Sequence, residues 1–335
     1  EIGRLVGFDQ VPTASLSAPE SGVKAITTPM QARVRSARRV MASRGFLETV
    51  TWSFMSKAHA AQFGKINDAL MVANPVASEL NYMRPSVLGN LAQAAQRAAN
   101  HGERGVRLFE AGPIYLGDGP KDQRTVVAAL VRPHNERHWQ GAPTPYDSFA
   151  AKADLFAVLD ALGQPGERFQ VAAPAQPHWH PGQAASLKLG PKVTVAHFGQ
   201  LHPGVLKALD VDGPLYGFEL NLNALPQMKA RATKTKPVFQ RADLTPIRRD
   251  LAFLVDQTVP ASDLVRHAQG ADKKLISRVD VFDVYEGTGV PEGQKSVAFE
   301  MTLQPQEKMK DDDIQALMDK VVASVAKGTG GVLRG

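Results

Sequence analysis

Histidines are the first residues in this sequence whose type and spacing could support chemistry. His178 and His180 are separated by one residue, and His197 and His202 follow within about two dozen positions. An H-x-H pair on a strand would place both imidazoles on the same side, where zinc could bind them. A proline flanks the pair on each side and no carboxylate stands next to it. We therefore expect a structured loop, and a hydrolase that uses His178 and His180 stays open only as an alternative.

Other catalytic signatures are missing from the sequence. It contains neither a phosphate-binding G-x-x-x-x-G-K-[ST] loop nor a G-x-G-x-x-G turn after a strand. It has no G-x-S-x-G elbow. The chain has no cysteine, which excludes disulfides, thiolate metal sites and cysteine nucleophiles. The motifs therefore identify no catalytic residue.

Composition favours a globular protein with an acidic partner. The 335 residues are enough for about two domains. The hydrophobic fraction of 43% supports a sizeable core, and no apolar run reaches the roughly 18 residues of a membrane span. The net charge of +6 suggests nucleic acid as a partner. We expect a cytoplasmic protein without a membrane partner. Because the chain begins at Glu1 and not at Met, we also expect a piece of a longer polypeptide.

The elements that would position any functional group begin with a basic amphipathic helix. Thr28, followed by proline and then by Gln31, predicts a capping box, and Gly45 is placed to end the helix. Four arginines between positions 33 and 39 are expected on a solvated face. Residues 46–54, rich in Val, Thr and aromatic side chains, predict a strand.

The next segments alternate between helix and strand without a regular βαβ repeat. Patterning predicts helices at 86–101 and 153–162, a loop at 132–148, and strands at 106–116, 125–131, 184–189, 193–198 and 215–222. This order predicts an α+β domain with a mainly antiparallel sheet. Residues 226–246 are basic and contain three prolines, which predicts a linker.

The segment 247–335 shows the clearest pattern. Strands are predicted at 250–255, 275–284 and 295–304, with helices at 260–269 and from Asp311, and a final short strand at Val332-Leu333. The order βαββαβ predicts a ferredoxin-like domain of four strands and two helices.

A sheet covered by helices on one side leaves an open face on which RNA bases could stack. Phe253, Phe282, Tyr285 and Phe299 are the aromatic candidates, although Phe253 shares a face with Val255 and is expected in the core. Phosphate or base contacts are predicted for the following residues of this domain: Arg248, Arg249, Phe282, Tyr285, Lys295 and Arg334.

Four motifs of this domain carry a family resemblance. They are Arg248-Arg-Asp-Leu-Ala-Phe253, Val281-Phe-Asp-Val-Tyr-Glu-Gly287, Pro291-Glu-Gly-Gln-Lys-Ser296 and Leu333-Arg-Gly335. Together they resemble the anticodon-binding domain at the C-terminus of the bacterial phenylalanyl-tRNA synthetase β subunit. The preceding region also resembles that subunit, in Asn74-Pro-Val-Ala-Ser-Glu79, Met83-Arg-Pro-Ser86, Leu108-Phe-Glu-Ala-Gly112, His180-Pro-Gly182 and Gly199-Gln-Leu-His-Pro203.

The resemblance implies four segments. Residues 1–12 resemble the tail of a preceding magnesium-site domain, 13–225 a class II synthetase-like module, 226–246 a linker, and 247–335 the anticodon-binding domain. The middle module resembles a class II core that has lost its chemistry. Its third motif, Gly217-Phe-Glu-Leu-Asn-Leu-Asn-Ala224, lacks the ATP-binding arginine of an active core, and the strand after Arg107 and Glu110 lacks the later arginine of the second motif.

By this resemblance, the chain would be a non-catalytic part of an (αβ)₂ heterotetramer. The α subunit would use ATP and L-phenylalanine to charge tRNA(Phe), and the β subunit would bind tRNA through its C-terminal domain. Magnesium and ATP are implied only for the holoenzyme, with Glu1 as one ligand of an incomplete metal site. A stand-alone RNA-binding or regulatory module without an enzyme partner remains the alternative.

Overall fold

The computed structural model describes residues 1–14, 26–134, 139–141, 144–227, 238 and 241–334. The chain divides into two compact units, residues 1–229 and 230–335. Most of the predicted linker 226–246 lies outside the described residues. None of the helices in the described ranges is long and apolar enough to cross a membrane.

The first unit is built on one large sheet with helices on both faces. Its helices are α1 Ile2–Val6, α2 Pro29–Ser43, α3 Lys57–Ala60, α4 Leu88–Asn100, α5 Ser148–Ala161 and α6 Pro203–Ala208. Its strands are β1 Leu47–Glu48, β2 Phe54–Met55, β3 Tyr82–Met83, β4 Val106–Tyr115, β5 Gln123–Arg132, β6 Gln170–Ala172, β7 Trp179–Leu189, β8 Val193–Leu201 and β9 Tyr216–Asn221.

The large sheet has the strand order β1-β4-β5-β9-β8-β7-β6. Every neighbouring pair is antiparallel except β1 and β4, so the prediction of a mainly antiparallel sheet is confirmed. Residues of β5 alternate between two cores. Val127 and Ala129 pack on the side of α2 and α5, whereas Val126 and Ala128 pack on the side of α4 and α6.

The basic helix α2 forms as its sequence predicts. The Thr28 hydroxyl accepts a hydrogen bond from the Gln31 amide and the Gln31 side chain accepts one from the Thr28 amide, which completes the capping box. The helix ends before Gly45, whose φ of 81° is in the left-handed region that favours glycine.

The predicted strand 46–54 is wrong in extent. Only β1 and β2 are strands there, and they belong to different sheets. Between them, the amide and hydroxyl of Thr51 donate to the Glu110 carboxylate instead of a neighbouring strand. The helix predicted at 153–162 begins earlier, at Ser148, because the Asp147 carboxylate caps it by accepting from the Ala150 amide.

The second unit has the predicted ferredoxin-like order. Its elements are β10 Ile247–Asp256, α7 Ala261–Ala271, β11 Ile276–Tyr285, β12 Gln294–Leu303, α8 Asp311–Thr329 and β13 Val332–Leu333. The strands form an antiparallel sheet in the order β11-β12-β10-β13. The core contains Phe253 and Phe299, whose stacked rings lie 5.7 Å apart between centroids. Phe253 is therefore buried as predicted, and Phe299, a candidate stacking residue, is buried too.

Candidate nucleic-acid interface

The second unit has a sheet face that its helices do not cover. Along β12, Val297, Phe299 and Met301 are buried in the core, so the alternate residues Ser296 and Ala298 point to the other side. The strand register carries this alternation across the sheet and assigns each candidate residue to a face. We call the side away from the core the open face.

Tyr285 and Arg334 lie together on the open face. Tyr285 pairs with Ser296 in the register, and the Arg334 amide donates to the Ala252 carbonyl at 2.8 Å. The Arg334 guanidinium carbon is 5.9 Å from the centroid of the Tyr285 ring, within the range of a cation–π contact. Small side chains of Ala252, Ser296 and Ala298 between them leave room for the arginine. The ring of Tyr285 is 39% exposed and could stack on a base.

Phe282 is the second exposed aromatic residue of this sheet. The register of β11 shifts between Val281 and Asp283, so Phe282 stands in a β-bulge. Its side chain is 61% exposed. A bulged position at an edge strand presents this ring to a partner and not to the core.

The remaining predicted contacts are not brought together. Arg248 lies on the open face and faces the Glu300 carboxylate at 3.7 Å. Arg249 alternates to the opposite side and lines a depression beside α8. The Lys295 ammonium donates to the Gln257 carbonyl at 2.8 Å. These residues therefore do not form one continuous basic surface, because neighbouring residues on a strand point to opposite faces.

Two arginines of the open face are paired with carboxylates, and the register places the carboxylates of Asp250 and Asp283 on the same face. Arg278 pairs with Asp280 at 2.6 Å, as Arg248 pairs with Glu300. Within the described residues, Arg334 is the arginine of this face without an ion-pair partner. The face thus offers a stacking platform with one available guanidinium, a combination that suits a single-stranded base and its phosphate.

Two buried carboxylates of the first unit, Glu110 and Asp154, form ion pairs with arginines of the same unit. Glu110 and Arg84 are both buried and form an ion pair at 2.8 Å, and the Arg84 Nε donates to the Pro113 carbonyl at 2.9 Å. Thr51 completes the set by donating its hydroxyl to Glu110 at 2.6 Å. Both oxygens of Glu110 therefore have partners within the fold.

Asp154 forms a second buried network. It pairs with Arg44 and Arg107, and it accepts a hydrogen bond from the Tyr146 hydroxyl at 2.7 Å. Burial, then the nearby Asp154 carboxylate, raises the pKa of Tyr146 far above its usual range. The guanidinium of Arg107 also lies over the Phe46 ring at 4.4 Å from its centroid. Arg107 therefore joins β4 to α5.

His178 lies in a turn before β7, whereas His180 belongs to β7, so the predicted loop is wrong for His180. His180 lies within that strand, and its Nδ1 accepts from the Gly182 amide at 3.1 Å. His178 is 1% exposed, and burial lowers its pKa to about 3. Burial also lowers the pKa of His197 to about 4. The described ranges contain no group of three His, Asp or Glu residues placed to hold a metal ion.

Glu1 does not fit a magnesium site in this chain. Its exposed carboxylate pairs with Arg4 at 3.0 Å, one turn along α1. A magnesium ion needs several oxygen ligands in octahedral geometry, and among the described residues Glu1 belongs to no group of three or more His, Asp or Glu side chains that could hold a metal ion.

Sequence reasoning missed two features. One is the row of small residues Ala252, Ser296 and Ala298, which alternate with large apolar residues and could have been recognised from that alternation. The other is the grouping of His178 and Glu219 around one cavity, which joins distant strands and has no local signal.

Comparisons with known proteins agree with this arrangement. A family model described as the phenylalanyl tRNA synthetase beta chain CLM domain matches residues 15–222, and one described as a ferredoxin-fold anticodon binding domain matches residues 242–334. The β subunits of phenylalanine–tRNA ligase from Bradyrhizobium diazoefficiens and Nitrobacter winogradskyi are 46% and 45% identical, respectively. Each match covers 100% of this chain and 42% of the relative, so the chain spans about two fifths of the length of these curated relatives.

A solved pyrrolysyl-tRNA synthetase from Desulfitobacterium hafniense is also similar, with 16% identity and a TM-score of 0.43 over 58% of this chain and 64% of that chain. That similarity is too weak to assign a fold. The family model over residues 15–222 and the identity along the whole chain are sufficient by themselves. The chain belongs to the phenylalanyl-tRNA synthetase β-chain family.

Proposed function

We propose that this chain is a non-catalytic part of the β subunit of phenylalanine–tRNA ligase and that its second unit binds tRNA(Phe). The observation that carries the proposal is the open face, where Tyr285 and Arg334 form an exposed aromatic and cationic pair on a ferredoxin-fold anticodon-binding domain. Phe282 extends this surface along β11. An aromatic ring can stack on any of the four bases, so stacking alone does not select a sequence. Specificity would come from the bases that fit beside the pair.

The first unit would act as a class II synthetase-like scaffold without chemistry. Its pairs Arg84–Glu110 and Arg107–Asp154 satisfy charges that an active site would leave available for substrate. The domain limits follow the family resemblance, with the scaffold at 13–225 and the tRNA-binding domain at 247–335. Glu1, in the segment 1–12, would contribute to a magnesium site only with residues outside this chain.

The α subunit would pack against the first unit and carry the reaction of ATP, L-phenylalanine and tRNA(Phe), in a cytoplasmic (αβ)₂ heterotetramer. An exposed apolar segment after α2 supports this partnership. Val50 is 90% exposed and Trp52 65% exposed, and both lie within nine residues of the end of α2. Large apolar side chains grouped on a surface are typical of a protein–protein interface.

The test is a titration of the chain with tRNA(Phe) and with an anticodon-swapped transcript at two salt concentrations. We expect tighter binding of the native anticodon, a loss of about 1–3 kcal/mol in Tyr285→Ala, and a lower salt dependence in Arg334→Ala. Arg278→Ala is the matched control, because its guanidinium is already paired with Asp280. Equal affinities of Tyr285→Ala and the parent chain would contradict the proposed interface.

Mixing the chain with an α subunit distinguishes the alternative function. A stand-alone RNA-binding module would bind its RNA without an α subunit and would not form a complex when the two chains are mixed. The proposal expects a stable complex with α on size-exclusion chromatography, because the Val50 and Trp52 surface becomes buried on association.

A further inference from the structure

A cavity of about 310 Å³ opens on the α4 side of the large sheet. Its lining comes from the segment after α3, from the residues just before α4 and from β4, β5, β8 and β9, all in the first unit. Binding pockets for small ligands begin at about this volume. The space suits a metabolite of amino-acid size.

His178 contributes an unused pair of hydrogen-bonding groups to this cavity. Both ring nitrogens are shielded from bulk water, and neither has a hydrogen-bond partner among the described residues. A neutral imidazole needs one acceptor and one donor, and leaving both groups buried and unpaired destabilises the fold. His197 differs, because its Nδ1 is 2.9 Å from the Ser186 hydroxyl oxygen. His178 therefore has hydrogen-bonding capacity that the described part of the fold does not use.

Glu219 supplies a carboxylate that the fold satisfies only in part. One oxygen accepts from the Ser86 hydroxyl and from the Val87 amide, each at 2.9 Å, at the start of α4. The second oxygen receives no hydrogen bond from the described residues. Burial raises the pKa of this carboxyl, and a cation in the cavity would stabilise its charged form.

Two cationic side chains complete the lining. Lys65 and Arg124 both line the cavity, and neither has an ion-pair partner in the part of the chain that the structure describes. The Arg124 guanidinium bonds only to main-chain carbonyls, those of Lys121 and Gln123. The cavity thus holds one available negative group and two available positive groups.

We infer that this cavity binds a small zwitterion, a free amino acid or a close relative. The ammonium group of the ligand would bind Glu219 and His178, and its carboxylate would face Arg124 and Lys65. Its side chain would contact the Phe63 ring and the apolar floor that β5 and β8 provide. No reaction accompanies this binding, because the cavity contains no activated nucleophile. The ligand would act as a structural or regulatory effector of the first unit.

Equilibrium dialysis of the purified chain against each of the standard amino acids, in labelled form, tests this inference. We expect at least one to bind with a dissociation constant of about 1 mM or tighter. Glu219→Gln should weaken it at least about tenfold, since a hydrogen bond to a charged group is lost. The amide of this variant can still accept from Ser86 and Val87, so the fold is retained. His178→Phe, with a ring of similar shape, should also weaken binding about tenfold.

Matched controls use exposed residues of the same types. Glu79→Gln and His101→Phe lie outside the cavity lining and should leave binding unchanged. Two competitors test the charged ends of the best ligand separately: the amine that lacks its carboxylate, and the carboxylic acid that lacks its ammonium group. Neither compound should displace the bound amino acid. The inference is overturned by the absence of binding at about 10 mM, by binding that Glu219→Gln does not weaken, or by equal binding of the carboxylic acid alone.

Discussion

Replacement of Glu110 by Gln provides a quantitative test that this carboxylate is structural. Arg84 is 1% exposed, and in the parent chain its charge is balanced by Glu110 at 2.8 Å. The substitution preserves the shape of the side chain but removes the carboxylate that forms the ion pair with the buried guanidinium. Loss of one member of a buried ion pair costs about 3–5 kcal/mol. Thr51 also loses a charged acceptor, which places the expected loss in the upper half of that range.

Tryptophan fluorescence during urea unfolding measures this loss in the correct part of the chain. All three tryptophans, Trp52, Trp139 and Trp179, belong to the first unit, so the signal reports its unfolding and not that of the second unit. The corresponding fall in melting temperature is about 2–4 °C per kcal/mol for a unit of this size. Glu48→Gln, which removes the carboxylate from the exposed pair with Arg38 in the same unit, is the control and should change stability by less than about 1 kcal/mol.

The double variant Arg84→Met with Glu110→Leu separates charge from packing. Removal of both charges leaves no unpaired ion, so we expect most of the stability to return. A fall of less than about 1 kcal/mol in the free energy of unfolding of Glu110→Gln would refute the structural role of Glu110, because loss of the partner of a buried arginine destabilises a fold by more than that. It would show that Arg84 reaches water or another acceptor, and Glu110 would again be available for a different role.

Three further predictions concern separate parts of the molecule. The pKa values of His178 and His197 are lowered to about 3 and 4, so the unfolded chain binds more protons than the folded chain below pH 6.5. The stability that their neutral state contributes is complete above that pH and is lost as the pH falls toward 4, by up to about 1.4 kcal/mol per pH unit for each group. Urea titrations across this range should show a shallower decline for His178→Phe, and parallel curves would contradict the assignment. Gly217→Ala should destabilise the first unit by about 2 kcal/mol or more, because its Cβ would lie 2.0 Å from the Ala129 carbonyl oxygen. Gly64→Ala, whose Cβ would meet only Pro85 at 3.9 Å, is the control in the same fluorescence assay, and an equal effect of both changes would rule out the steric explanation. Trp52→Ser should weaken co-purification with an α subunit, whereas Phe149→Ser, another exposed aromatic, should not. Retention of α by Trp52→Ser at the parent level would place that interface elsewhere.

The sequence predicts elements well where one local signal determines them. The capping box of α2, the long strands β4 and β5, and the βαββαβ order of the second unit all follow from spacing and turn residues. The strand predicted at 46–54 fails because Thr51 bonds to a side chain from a distant strand, and β-propensity contains no information about that partner. The early start of α5 depends on the Asp147 cap, a local signal that could have been used.

The candidate RNA-binding residues show a different limit. Basic and aromatic residue types can be counted along a strand, but their faces depend on register and on bulges. Arg248 and Arg249 are neighbours in sequence and point to opposite sides of β10, while the bulge at Phe282 changes the alternation within β11. Tyr285 and Arg334 come together from the two edge strands of the sheet, almost fifty residues apart. Only tertiary structure could select this pair from the six predicted residues.

Two glutamates of the first unit show why charge balance, and not residue type, decides which of them can bind a ligand. Glu110 faces a buried arginine and a threonine, and all of these groups are satisfied within the fold. Glu219 receives bonds to one oxygen only, and the neighbouring Arg84 belongs to Glu110 at 2.8 Å. A half-satisfied carboxylate beside an unpaired imidazole is costly in a folded protein unless a third group completes the set. The first unit can therefore lack catalytic chemistry at Glu110 and still retain binding capacity at Glu219.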